Sequence, residues 1–145
     1  MAEGICMLGT LFLIALQDMK RKDISISMLL VLGIFAVVFH MIYEKRSIYD
    51  MLLGAAIGCV LMALSLISGG KIGMGDGVLI TMTGLWWGFW DNLMMLFLST
   101  ALMGATGIIL IIAGKKNKDD EIPYAPYLFF TAVAALFCRR YMDGS

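Results

Sequence analysis

Two aspartates stand where an apolar chain has little reason to keep a carboxylate. Asp76 lies in the run Gly69-Gly70-Lys71-Ile72-Gly73-Met74-Gly75-Asp76-Gly77, where the chain turns back into hydrophobic sequence, and Asp18 ends the first apolar segment. An ionisable group at the bilayer surface or slightly inside it is expensive, about 2.5 to 3.5 kcal/mol at a helix centre on insertion scales, and is a functional candidate by default. Two aspartates a few ångströms apart cannot both ionise cheaply, so such a pair holds one proton and titrates in two coupled steps. That is an acid and a base in one site. The ionised partner can take a proton from water as it attacks a peptide carbonyl, while the protonated one polarises the carbonyl oxygen and later helps the amine leave; no metal or cofactor is required. Gly73, Gly75 and Gly77 are the candidates for binding substrate, because an extended backbone can lie against glycine without meeting a side chain.

Each carboxylate also has a plainer reading. Asp18 can balance the Lys20-Arg21-Lys22 cluster at an interface, and Asp76 can serve as an N-cap. Asp23 competes with Asp18 but lies further from the apolar boundary. Asp119, Asp120 and Glu121 read as a solvated loop.

The elements that must position these residues are membrane helices. The chain is 61% hydrophobic, with only two prolines among 145 residues and a mean hydropathy of +0.89, whereas ordinary soluble domains are about half apolar. At about 20 residues per span there is room for roughly six spans and little else, so the expected fold is all-α, a polytopic helical bundle forming one membrane-embedded domain over residues 1–145. The spans are expected at Met1–Gln17, Ile24–Tyr43, Ile48–Ile67, Val78–Trp90, Asn92–Ala113 and from Tyr127 to near Cys138. The first and fourth are short, which points to local bilayer thinning near the site or to a mobile cytoplasmic face. Gly54-Ala55-Ala56-Ile57-Gly58 is a small-xxx-small face for close helix packing, with Gly104 and Gly107 as further such positions. Trp86-Trp87-Gly88-Phe89-Trp90 reads as an interfacial aromatic belt. Cys6, Cys59 and Cys138 read as small core residues, forming neither disulfides nor a zinc site. His40 falls at the outer end of the second span. A net charge of zero and the lack of a basic stripe with interleaved aromatics argue against nucleic acid as a partner. The apolar start lacks the basic leading region of a cleavable signal peptide.

Six spans place both termini on one side. The first, third and fifth loops hold seven basic residues, Lys20, Arg21, Lys22, Lys71, Lys115, Lys116 and Lys118, against four on the other face, Lys45, Arg46, Arg139 and Arg140. By the positive-inside rule the termini are outside and Asp18 and Asp76 share the cytoplasmic face, with Asp50 and Asp91 opposite.

Three separated pieces resemble one family. Asp18-Met19-Lys20-Arg21-Lys22-Asp23-Ile24-Ser25 is similar to the first aspartate motif of type IV prepilin peptidases, Gly73-Met74-Gly75-Asp76 matches their GxGD motif, and Ile122-Pro123-Tyr124-Ala125-Pro126-Tyr127 resembles their late Ile-Pro-Phe-x-Pro-Phe segment. The resemblance implies an aspartic endopeptidase of the prokaryotic cytoplasmic membrane that removes the short basic leader from prepilins or pseudopilins, with Asp18 and Asp76 as the catalytic pair, no cofactor, and the lipid bilayer as its setting. In that family the cut falls at the cytoplasmic edge of the substrate's hydrophobic helix, usually after glycine. The Pro123 and Pro126 segment then reads as structural, shaping the start of the sixth span. Val78 stands where many relatives carry lysine, and Ile24-Ser25-Ile26 where the first motif commonly continues Ile-Pro-Asn. Larger members have an added amino-terminal region and also methylate the new amino terminus; this chain begins at the first peptidase span, so cleavage without methylation is the expectation. The alternatives are another GxGD protease, whether preflagellin or intramembrane peptidase, and a non-enzymatic membrane assembly or transport subunit that would tolerate Asp76→Asn. Neither the particular pilin nor an oligomeric state is written in the sequence.

Overall fold

The computed structural model describes residues 2–21, 25–43, 47–69, 73–115 and 121–143. All five elements are helices: α1 (Ala2–Arg21), α2 (Ile26–Tyr43), α3 (Ile48–Ile67), α4 (Met74–Ile112) and α5 (Ala125–Asp143). The helix α3 has the span's expected boundaries. Ser47 caps it, its hydroxyl accepting from the Tyr49 N–H at 3.3 Å, which satisfies one of the amides that a helix start leaves without a partner.

A single glycine breaks α4. Gly88 has φ 73° and ψ −171°, a region open essentially to glycine alone, and the chain reverses there. The side-chain amide of Asn92 donates to Ile80 O at 3.0 Å and to Gly54 O at 3.0 Å, and the Thr83 hydroxyl donates to Asn92 Oδ1 at 2.9 Å. In one straight helix residues 80 and 92 would stand about 18 Å apart, so these bonds require the arms 74–87 and 89–112 to fold against each other. The break falls at Gly88, not beside Asp91, where the sequence reading ends one span and begins the next. Asp91 sits inside the second arm's first turn.

The tightest pairing is α3 against the first arm of α4. A Cβ on Gly54 would stand 2.5 Å from Gly84 O and 2.7 Å from the Gly88 carbonyl carbon, and one on Gly58 would stand 2.5 Å from Gly77 O. Only glycine permits backbones this close, the use expected of a small-xxx-small face. Gly107 meets Ile122, whereas Gly104 faces open space.

Core side chains come from α1, α2, α4 and α5, with Leu11, Ile14, Leu32, Leu79, Ile80 and Leu128 fully buried. Trp87 belongs to this core, and Trp86 donates its indole N–H to Leu32 O at 2.9 Å while packing on Phe39. Of the expected aromatic belt, Trp90 is the tryptophan that faces outward. The cysteines also differ from expectation: Cys6 is half-buried, and Cys59 and Cys138 are exposed. The outer face is apolar instead of polar, with Ile34, Met41, Leu52, Val60 and Ile109 exposed, the pattern of a protein whose solvent is lipid. Among the described residues, three helices, α2, α3 and α4, are long and apolar enough to cross a membrane, and α5 holds a shorter apolar stretch, Ala125–Cys138.

Candidate active site

Asp18 reaches the interior by helical spacing. Met7, Leu11, Ile14 and Asp18 recur at four, three and four residues along α1, so they share the face that the bundle covers. The helix continues through Asp18 to Arg21 instead of ending there, and the aspartate is 5% exposed. Its Oδ2 accepts the backbone N–H of Ala125 at 2.9 Å. Ala125 opens α5, so the positive end of that helix's dipole is aimed at the carboxylate. Lys20 and Arg21 complete the last turn of α1, where cations complement the negative end of its own dipole.

Asp76 lies in the first turn of α4, half-buried, with Gly73 as N-cap. The aspartate is therefore not the cap, and α4 begins ahead of it, at Met74. A Cβ on Gly73 would stand 2.8 Å from Asp76 Oδ2: the carboxylate folds back over its own helix start, into space that glycine leaves. Gly75 is half-buried and Gly73 exposed. Gly77 is buried against α3, where a Cβ would meet Met62 Cγ at 2.6 Å.

Asp18 and Asp76 share one end of the bundle, within electrostatic reach of each other, and Tyr124 lies within reach of Asp76. Tyr124 is 5% exposed and its hydroxyl is hydrogen-bonded to that of Ser99, which donates in turn to Met95 O at 2.6 Å. A groove of about 450 Å³ opens between α1 and α2 at this end, lined by Leu16, Gln17, Lys20, Arg21, Ser25 and Met28. Among the described residues, no three His, Cys, Asp or Glu side chains gather in a way that could hold a metal.

Asp50 lies at the far end, where Oδ1 accepts the Phe89 N–H at 3.0 Å, and His40, in the last turn of α2, also lies away from the pair. Asp23, Asp119 and Asp120 fall outside the described residues, as do Lys22, Lys45, Arg46, Lys71, Lys116 and Lys118. The sequence reading missed Ala125 and Tyr124 as neighbours of the aspartates, because the Pro123 and Pro126 segment reads as structural, shaping the start of the sixth span. It also missed Asn92, whose signal is an amide flanked by two strongly apolar arms.

The model of the type IV leader peptidase family matches residues 5–110. The prepilin leader peptidase/N-methyltransferase of Pseudomonas aeruginosa is 32% identical over 121 residues, covering 79% of this chain and 40% of that protein. The protein of the same name from Aeromonas hydrophila is 31% identical over 105 residues, covering 68% of this chain and 36% of that one. The chain thus spans 40% or less of the length of these curated relatives. No solved structure matches. A family match that runs unbroken from α1 almost to the end of α4 makes this chain a member of the type IV leader peptidase family.

Proposed function

We propose that the protein is a membrane aspartic endopeptidase that removes leader peptides from type IV prepilins or pseudopilins, with Asp18 and Asp76 activating the water. The observation that carries the reading is the convergence of these two carboxylates, from separate helices within the family match, at one end of an otherwise apolar bundle. Both curated relatives bear the name prepilin leader peptidase. One carboxylate, ionised, accepts a proton from water as the oxygen attacks the scissile carbonyl. The other, protonated, donates a hydrogen bond to the carbonyl oxygen. When the tetrahedral intermediate collapses, the leaving amine takes up a proton and the pair returns to its singly protonated state.

Six crossings, a cytoplasmic site in the inner membrane and termini outside belong to this proposal, supported by the loop charge bias and by the two arms of α4, each counted as a crossing. The first arm, 74–87, rises only about 20 Å against a hydrocarbon core of about 30 Å, which favours a thinned bilayer beside Asp76. Gly73 and Gly75 keep their place as the surface for the substrate backbone; the buried face of Gly77 is taken up by α3. A basic leader would be repelled by Lys20 and Arg21, so it approaches away from the α1–α2 groove.

The test is cleavage of a prepilin by the purified protein in detergent, beside Asp18→Asn and Asp76→Asn. An active parent and two folded, inactive variants support the reading. Variants that cut as well as the parent sink it.

A further inference from the structure

We propose that the start of α5 positions the site: the Ala125 N–H orients the Asp18 carboxylate, and Tyr124 fixes that N–H by tying the segment to the second arm of α4. The inference rests on the peptidase reading above.

A helix start leaves several amides without intrahelical partners. In α5, Pro126 has no N–H, and that of Tyr127 goes back to Tyr124 O at 3.0 Å. Ala125 is the first-turn amide that meets Asp18, and the contact joins residues 107 apart in sequence. The setting is dry: Ala125 is 0% exposed and Asp18 and Tyr124 are each 5% exposed. A buried amide and a buried carboxylate that lost each other would have no ready water to replace the bond. One backbone donor also restricts rotation of the carboxylate about its side chain, which a reacting base requires.

The donor is itself held. The Tyr124 and Ser99 hydroxyls share a hydrogen bond, and Ser99 Oγ lies 2.6 Å from Met95 O, so the pair ties the segment to the second arm of α4. Ile122 packs where Gly107 leaves room. Both anchors lie on the second arm of α4, and Asp76 lies on the first. The folded α4 therefore carries one aspartate directly and holds the other through Tyr124 and Ala125.

Ala125→Pro deletes the N–H at a helix position where proline is well accepted. Its expected result on prepilin cleavage is a kcat about 10- to 100-fold below the parent, with KM within about threefold, in a protein that still unfolds cooperatively in detergent. Ala125→Gly, which keeps the N–H, should restore most of the turnover. A folded Ala125→Pro protein with the parent's kcat overturns the proposal, as does Ala125→Gly falling equally far. A second measurement needs neither activity nor the proline variant. In protein labelled with 15N-alanine, the Ala125 amide proton should shift in Asp18→Asn, because its acceptor changes from a carboxyl oxygen to an amide group. An unmoved resonance overturns the positioning role. A responsive resonance in a parent that cuts no prepilin overturns the peptidase reading instead.

Discussion

The two ends of the bundle make the same hydrogen bond for different ends. At one, Asp18 accepts the N–H of Ala125, the first residue of α5; at the other, Asp50 accepts the N–H of Phe89, the first residue of α4's second arm. Each caps a helix that belongs to another element. Asp50 sits in a corner where glycine backbones already touch and where Asn92 stitches three strands of backbone together, so its bond finishes a sealed joint. Asp18 sits beside a second carboxylate, whose helix start is glycine and partly open. The bond alone does not mark a reactive group; what stands beside the carboxylate decides whether capping is its whole task.

Substitutions can break or sharpen that contrast. The largest effect is expected at the proposed catalytic end: Asp18→Asn or Asp76→Asn should lower prepilin cleavage, read on the folded fraction, by about 1,000-fold or more, equivalent to about 4 kcal/mol of transition-state stabilisation. Asp50→Asn reverses the pattern, costing about 1 to 3 kcal/mol of stability through the weakened bond to Phe89 while the folded fraction keeps cutting. Loss of cleavage in a well-folded Asp50→Asn protein would erase the distinction between the ends. Gly88→Ala places a side chain at φ 73° and should cost about 1 to 3 kcal/mol, read as a lower melting temperature. Asn92→Leu removes the amide that bonds Ile80 O, Gly54 O and the Thr83 hydroxyl and belongs in the same range of about 1 to 3 kcal/mol. Smallest is Cys59→Ala, on the exposed face, expected within about 0.5 kcal/mol of the parent; a larger loss would return that cysteine to the core.

What was legible in the sequence follows from which forces are local. Helix α3 could be placed to the residue because Ser47 precedes and Ser68-Gly69 follows a run that is apolar but for Asp50 and Ser65, and its Gly54 and Gly58 pair announces close packing by spacing alone. The burial of Asp18 was also within reach, as the Met7, Leu11, Ile14 series projects it onto the covered face. The break in α4 was harder. Charge suggested Asp91, but the turn needs a positive φ, and Gly88 supplies it from inside an aromatic cluster that looks like an interfacial belt. Trp86 and Trp87 face inward because the chain reverses beside them, a tertiary fact that no window of sequence contains. Ala125 was least visible of all, for its contribution is a backbone amide common to nearly every residue, made specific by where α5 begins.

The separation between Asp18 and its donor sets an order of events during synthesis. At about 5 to 20 residues per second, the chain carries both aspartates for several seconds before Ala125 is made, and longer before Tyr124 can dock on Ser99. During that interval Asp18 has yet to receive the amide that orients it. On the proposed peptidase reading, the site therefore lacks its oriented carboxylate until α5 has been made, and the order of synthesis itself holds turnover down while the earlier helices insert.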